Sequence, residues 1–285
     1  MAILLTLVAV MHYSVVATAL LSGVPQDAVN VTCEFLNHVR GTANFSKELS
    51  LKIEENSFVA SESRYRTTEE VRKAVRTYLR AEAAVGRHHS EGEAMARAGE
   101  AAKAANDAEE QATKAELRAV QARRRANHLV ESISRRSHSI LTSFKAVLIV
   151  FNQTEADEDS VTAVPYNCPE RDVQNVSREV LETEVKRMVT HLEPHIPVPR
   201  QDIIHRLVHD VGALNDTAVL SEAALRDTMA AEAEAKAAAT NTIVEAIRGF
   251  KDGIESSPPD DAEGEGDERR MATLAIVCLL LFLSG

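Results

Sequence analysis

The chain has 285 residues, 32 basic against 43 acidic side chains and a formal charge of −11. That balance argues against a nucleic-acid binder, which needs a net basic face, and seven Phe, four Tyr and no Trp are too few for a β-sandwich core or a base-stacking surface. With 42 alanines, 11 glycines and 8 prolines, the composition is that of long helices.

Residues 1–21 form an apolar run broken mainly by His12, Tyr13 and Ser14. It ends in Ala17-Thr18-Ala19, a small-x-small pattern, and reads as a secretory signal peptide, residues 1–19, cut after Ala19. The ectodomain is expected over residues 20–256. Proline is absent from Gln26 to Val164, and glycine occurs there only at Gly41, Gly86, Gly92 and Gly99. Two long helices meeting at residues 86–92 explain this, with Ser90 and Glu93 forming a capping box at the start of the second. The first helix is predicted over residues 26–85. Thr67 with Glu70 marks a possible break near residues 61–68, and Val71, Val75, Tyr78 and Val85 form its later apolar stripe.

The second helix is predicted over residues 91–151. Ala98, Ala101, Ala105, Ala108, Ala112, Ala115, Ala119, Ala122, Ala126, Leu129 and Ile133 recur at spacings of three and four, a heptad seam made mostly of alanine. Arg136 breaks the register, after which the seam turns large with Ile140, Leu141, Phe144, Val147, Leu148 and Phe151. Residues 152–199 are irregular apart from a shorter helix over 176–192, which Pro194, Pro197 and Pro199 stop. The last helix is expected over residues 201–254, with a seam at Ala223, Ala230, Ala233, Ala237, Thr240, Val244, Ile247 and Ile254.

Residues 257–270 are small and polar, and residues 271–285 are apolar. About fifteen residues is short for a bilayer span, which needs about 20. A polar spacer before an apolar tail is the pattern of a GPI-attachment signal, with Gly264, Asp260 and Ser257 as candidate attachment residues. Cys278 lies in the tail that processing would remove. Cys33 and Cys168 remain, an even number for an oxidising compartment, and are expected to form one disulfide. Five Asn-x-Ser/Thr sequons, at Asn30, Asn44, Asn152, Asn175 and Asn215, fit a secreted chain.

The expected fold is all-α: an elongated antiparallel three-helix bundle. If the last helix descends to the anchor, Cys33 and Cys168 fall at the membrane-distal end, in a head containing the shorter helix.

No constellation for chemistry emerges. His191 with His195 and His205 with His209 have metal-ligand spacing, but the sequence lacks His-Glu-x-x-His and Pro194 interrupts the first pair, so solvated or partly packed histidines are the better reading. There is no Gly-rich phosphate loop and no Gly-x-Ser-x-Gly. Arg123-Arg124-Arg125 and Arg135-Arg136 read as solvated faces paired with neighbouring Glu rather than as a polyanion site. No catalytic residue, cofactor or metal is assigned, and the chain is not read as an enzyme.

The signal ending in Ala17-Thr18-Ala19, the runs Ala101-Ala102-Lys103-Ala104-Ala105 and Glu232-Ala233-Glu234-Ala235-Lys236-Ala237-Ala238-Ala239, and the GPI-type tail together resemble the African-trypanosome surface glycoproteins. The alanine-rich group is the nearest in kind: the brucei alanine-rich proteins and the glutamic acid/alanine-rich protein, similar in fold to the haptoglobin–haemoglobin receptor and the variant surface glycoproteins. The resemblance covers the whole chain and rests on architecture and composition. It implies a GPI-anchored three-helix bundle, densely displayed among neighbouring copies or other coat proteins as a stage-specific coat. The alternative is a receptor or adhesin binding a host or vector protein through the head. An exposed apolar patch there would favour it, and Phe35, Leu36, Phe144, Leu148, Phe151 and Ile196 either build that patch or form the core of the head.

Overall fold

The computed structural model describes residues 25–85, 92–154, 168–169, 171, 173 and 176–255. They form four helices: α1 (Gln26–Val85), α2 (Glu93–Thr154), α3 (Arg178–Leu192) and α4 (Gln201–Glu255). The fold is all-α, and the described residues include no strand. The signal segment, the turn residues 86–91, the linker and the apolar tail lie outside the described residues.

α1 runs without the expected break near residues 61–68. The Thr67 hydroxyl donates to the Ser63 carbonyl at 2.9 Å. It is satisfied inside the helix, one turn back, and so does not cap a new start.

The chain divides into two compact units, Met1–Ser57 with Arg118–Ala223, and Phe58–Leu117 with Ala224–Gly285. In the first, parts of α1, α2 and α4 pack with α3 around large side chains. Phe35, Leu36 and Ile53 of α1, Ile133, Ile140 and Phe144 of α2, Leu181, Met188 and Leu192 of α3, and Ile204 and Leu207 of α4 are all buried. The Phe35 and Phe144 rings lie 5.8 Å apart in a tilted pair. Thr42 and Ser137 share a buried hydrogen bond of 2.8 Å between α1 and α2.

Here the expected register break at Arg136 does not occur. The buried seam of α2 passes through Ile133, Ser137, Ile140 and Phe144, spaced four, three and four. Arg136 sits beside that seam and pairs with Asp210 of α4. The seam residue is a small polar one, which hydropathy alone assigns to the outside.

The second unit is a three-helix bundle with a core of small residues. Val71, Ala74 and Ala81 of α1 meet Ala98, Ala105 and Ala108 of α2 and Ala235, Ala238, Ala239 and Ala246 of α4. On α2 the expected seam holds, except that Ala102 is buried where Ala101 is half-buried. On α4 it does not. Ala230, Ala233, Ala237, Thr240 and Val244 are exposed and Ala223 and Ile247 half-buried, while the side chain of Ile254 lies outside the described residues.

The buried face of α4 is Ala224, Thr228, Ala231, Ala235, Ala238, Thr242, Ala246 and Gly249. Close approach selects small residues, and Thr228 and Thr242 are tolerated because each hydroxyl donates to the carbonyl four residues back, at 2.8 and 2.9 Å. Gly249 shows how tight this face is, since a Cβ there would stand 3.0 Å from Met95 Cγ. Polar ties across the unit include Ser63 to Glu232 at 2.6 Å, Thr68 to Glu109 at 2.7 Å and Arg97 to Glu245 at 3.1 Å.

Candidate functional site

Three residues of α1 at four-residue spacing, Cys33, Asn37 and Gly41, lie on one helix face. The segment before α3 runs along them. Cys33 is disulfide-bonded to Cys168, 135 residues away. The Asn37 side-chain amide donates to the Pro169 carbonyl at 3.0 Å. At Gly41 a Cβ would stand 3.2 Å from Val176 Cγ2 and 3.3 Å from Val173 Cβ, so the missing side chain is what admits the strap.

Ser177 then caps α3, its side chain accepting from the Val180 amide at 3.3 Å. The Glu179 carboxyl is held below its ordinary range by hydrogen bonds from its own backbone amide and from Ser177. α3 is tied back to α1 by Arg187 and Glu34 at 2.6 Å, with His191 3.5 Å from Asp27.

Four of the sequon asparagines fall within long helices. Asn30 and Asn44 are exposed on α1, and Asn215 is half-buried on α4. Asn152 falls in α2, its side chain outside the described residues, and Asn175 is itself outside them. The three helical sequons whose side chains are described have their hydroxyl turned inward. Thr32 donates to the Ala28 carbonyl at 2.7 Å, Ser46 to Ala43 at 3.0 Å and Thr217 to Ala213 at 2.7 Å, and all three are buried.

A glycosyl transferase must reach that hydroxyl together with the asparagine amide, so modification has to precede folding. Folded, unglycosylated protein given an oligosaccharyltransferase and its lipid-linked donor is expected to stay unmodified at Asn30, Asn44 and Asn215. The reduced, unfolded chain is expected to be modified at Asn30. Glycopeptide mass spectrometry reads the difference, and efficient transfer to the folded protein would refute it.

Among the described residues no group of three or more His, Cys, Asp or Glu is placed to hold a metal. His205 and His209 are exposed, the latter beside Asp210 at 3.7 Å. Phe35, Leu36 and Phe144 are buried, and Leu148 and Ile196 half-buried, so they serve the core of the first unit. The Phe151 side chain lies outside the described residues. Exposed apolar residues such as Leu51, Phe58, Leu117 and Val219 are distributed over three helices.

The charge on α2 is uneven. Between Arg118 and Lys145 there are six arginines and one lysine against a single acidic residue, Glu131. Opposite the buried seam, Arg124, His128, Glu131, Arg135, His138 and Thr142 follow one another at spacings of four, three, four, three and four, and all are exposed. Arg135 lies 3.7 Å from Glu131 and Arg136 meets Asp210. Arg123, Arg124 and Arg125 have no ion-pair partner among the described residues, contrary to the expected pairing with neighbouring Glu. The reason is local: Glu131 is the one carboxylate on this stretch. In the sequence the arginines form two separate clusters, 123–125 and 135–136. Their spacing to His128 and His138 is the signal that joins them into a strip.

No family model and no curated protein matches the chain. Among solved structures it is similar to the haptoglobin-hemoglobin receptor of Trypanosoma congolense, with 18% identity and a TM-score of 0.47 over 77% of this chain and 95% of that one. It is also similar to the Trypanosoma brucei factor H receptor, solved bound to domain D5 of bovine factor H, with 19% identity and a TM-score of 0.42 over 77% and 95%. A third is a metacyclic invariant surface protein from Trypanosoma brucei, with 22% identity and a TM-score of 0.40 over 80% and 98%. These similar structures are all trypanosome surface proteins.

Proposed function

We propose that this protein is a GPI-anchored glycoprotein of the extracellular face of the plasma membrane, with a structural and protective role in a dense, stage-specific coat. The observation that carries the reading is the bond between Cys33 and Cys168. Such a staple persists in an oxidising compartment, to which a segment like residues 1–19 would deliver the chain. The spacer and apolar tail of residues 257–285 supply the pattern for the anchor, with Gly264, Asp260 or Ser257 as the attachment residue. Narrow alanine seams suit side-by-side display of many copies, and glycans on Asn30 and Asn44 suit a barrier. No catalytic role is assigned to any residue.

The receptor or adhesin alternative draws no support from the head residues that would have formed an apolar patch, because Phe35, Leu36 and Phe144 are buried in the core. Phosphatidylinositol-specific phospholipase C is expected to release the protein from intact cells into the medium. A protein that stays cell-bound although no inositol acylation blocks the enzyme refutes the lipid attachment, and a low copy number per cell refutes the coat role.

A further inference from the structure

The basic strip on α2 is not used by a coat role, and it stands out in a protein of net charge −11. We propose that Arg124, Arg125, His128, Arg135 and His138 form a docking strip for a linear sulfated polysaccharide. The inference rests on the surface reading for the availability of that partner and goes beyond it.

Geometry and charge select the occupant. Arg124 to His138 lie 14 residue steps apart on one uninterrupted helix, about 21 Å at 1.5 Å per residue. The strip is exposed and elongated, with Arg124 and Arg125 at one end, Arg135 about three turns on beside Glu131, and the His128 and His138 imidazoles between and beyond them as further hydrogen-bonding groups, which complements a rod-shaped polyanion rather than a compact one. Arg124 and Arg125 have no carboxylate partner among the described residues, so their guanidinium forks remain available. A planar fork of this kind offers paired N–H donors to the oxygens of an anionic group, as it does to carboxylate and phosphate.

Other polyanions fit less well. The stretch from Arg118 to Ser143 contains no aromatic residue, so there is no platform for stacking single-stranded bases. Between Arg124 and His138 the larger apolar side chains, Leu129, Val130 and Ile133, turn inward to the core, leaving none on the strip to insert into a bilayer.

The test uses the full-length protein, expressed in a secretory host and extracted in detergent, with heparin as the probe. The protein is expected to be retained on heparin at about 0.15 M salt and to elute at higher salt. The double variant Arg124→Glu/Arg125→Glu is expected to bind at least about tenfold more weakly and with a shallower salt dependence. Arg80→Glu, an exposed charge change on α1, is expected to bind as the parent does.

Glu favours helix, and unchanged far-ultraviolet circular dichroism of the double variant confirms its fold. The milder Arg124→Gln/Arg125→Gln pair should show the same loss in smaller degree. Flow-through of the parent protein at that salt, equal retention of the double variant, or equal binding to chemically desulfated heparin or to a single-stranded DNA column would each overturn the proposal. Phospholipase release from intact cells is scored separately. Heparin retention by a protein found inside the cell would refute the surface reading and leave the strip standing, and the reverse result would do the opposite.

Discussion

Cys33→Ser is expected to cost the fold about 4–5 kcal/mol, the upper range for a bond that closes a loop of 135 residues. For a chain of this size, that corresponds to a fall in melting temperature of roughly 10–20 °C. Thermal unfolding followed by circular dichroism, with and without reductant, measures it. The variant in buffer and the parent in reductant should melt together, because both lack the same bond, and Cys33→Ser/Cys168→Ser should be no worse than the single change.

The effect arises mainly in the unfolded chain, whose ends are no longer held together. A smaller part arises in the folded one, where the strap loses its covalent tie and keeps its hydrogen bond from Asn37 to Pro169, its contact with Gly41 and the packing of Val173 and Val176 against the core. A variant that melts within about 2 °C of the parent would mean that the bond constrains little that the helices do not already constrain.

Helix positions were readable from the sequence because their determinants are local. The absence of Pro, with Gly41 the one glycine, left α1 room to run from Gln26 to Val85, and the prolines at 194, 197 and 199 separate α3 from α4. Facing was less readable where both sides of a helix look alike. α4 carries alanine at 223, 224, 230, 231, 233, 235, 237, 238 and 239, so its apolar periodicity is nearly flat. Its buried face is marked by a stripe of small polar residues, Ser221, Thr228 and Thr242, which a hydropathy pattern sends outward and the bundle takes inward.

The same inversion hid Ser137 behind Arg136. On α2, three successive arginines fan over about 200° of the helix at 100° per residue, and the i, i+4 step from Arg124 and the i, i+3 step from Arg125 to His128 show which of them flank the face of Arg135 and His138. The strap against Gly41 was beyond local reading altogether, since it depends on which residues a distant segment meets.

Phe144→Ala is expected to cost about 3–5 kcal/mol, the range for deleting a large buried aromatic side chain. Phe144 is fully buried, and its ring meets that of Phe35 in the core cluster that also holds Leu181, Met188 and Leu192 of α3. The tilted pair adds about 0.5–1.5 kcal/mol to its area term, so Phe35→Ala and Phe144→Ala combined should cost less than their sum by about that amount. Urea unfolding of the two single variants and the double variant measures this, and a loss below about 1 kcal/mol for Phe144→Ala would mean that the site collapses around the cavity.

The contrast with the second unit explains why the loss should be so large. There the buried residues are mostly alanine, each removing little area from water, and stability accrues from helix length and propensity over many turns. In the first unit it is concentrated in a few large side chains that also hold α3 in place. A single truncation there removes what several alanine layers contribute together, and it should loosen α3 and the strap before it disturbs the long helices.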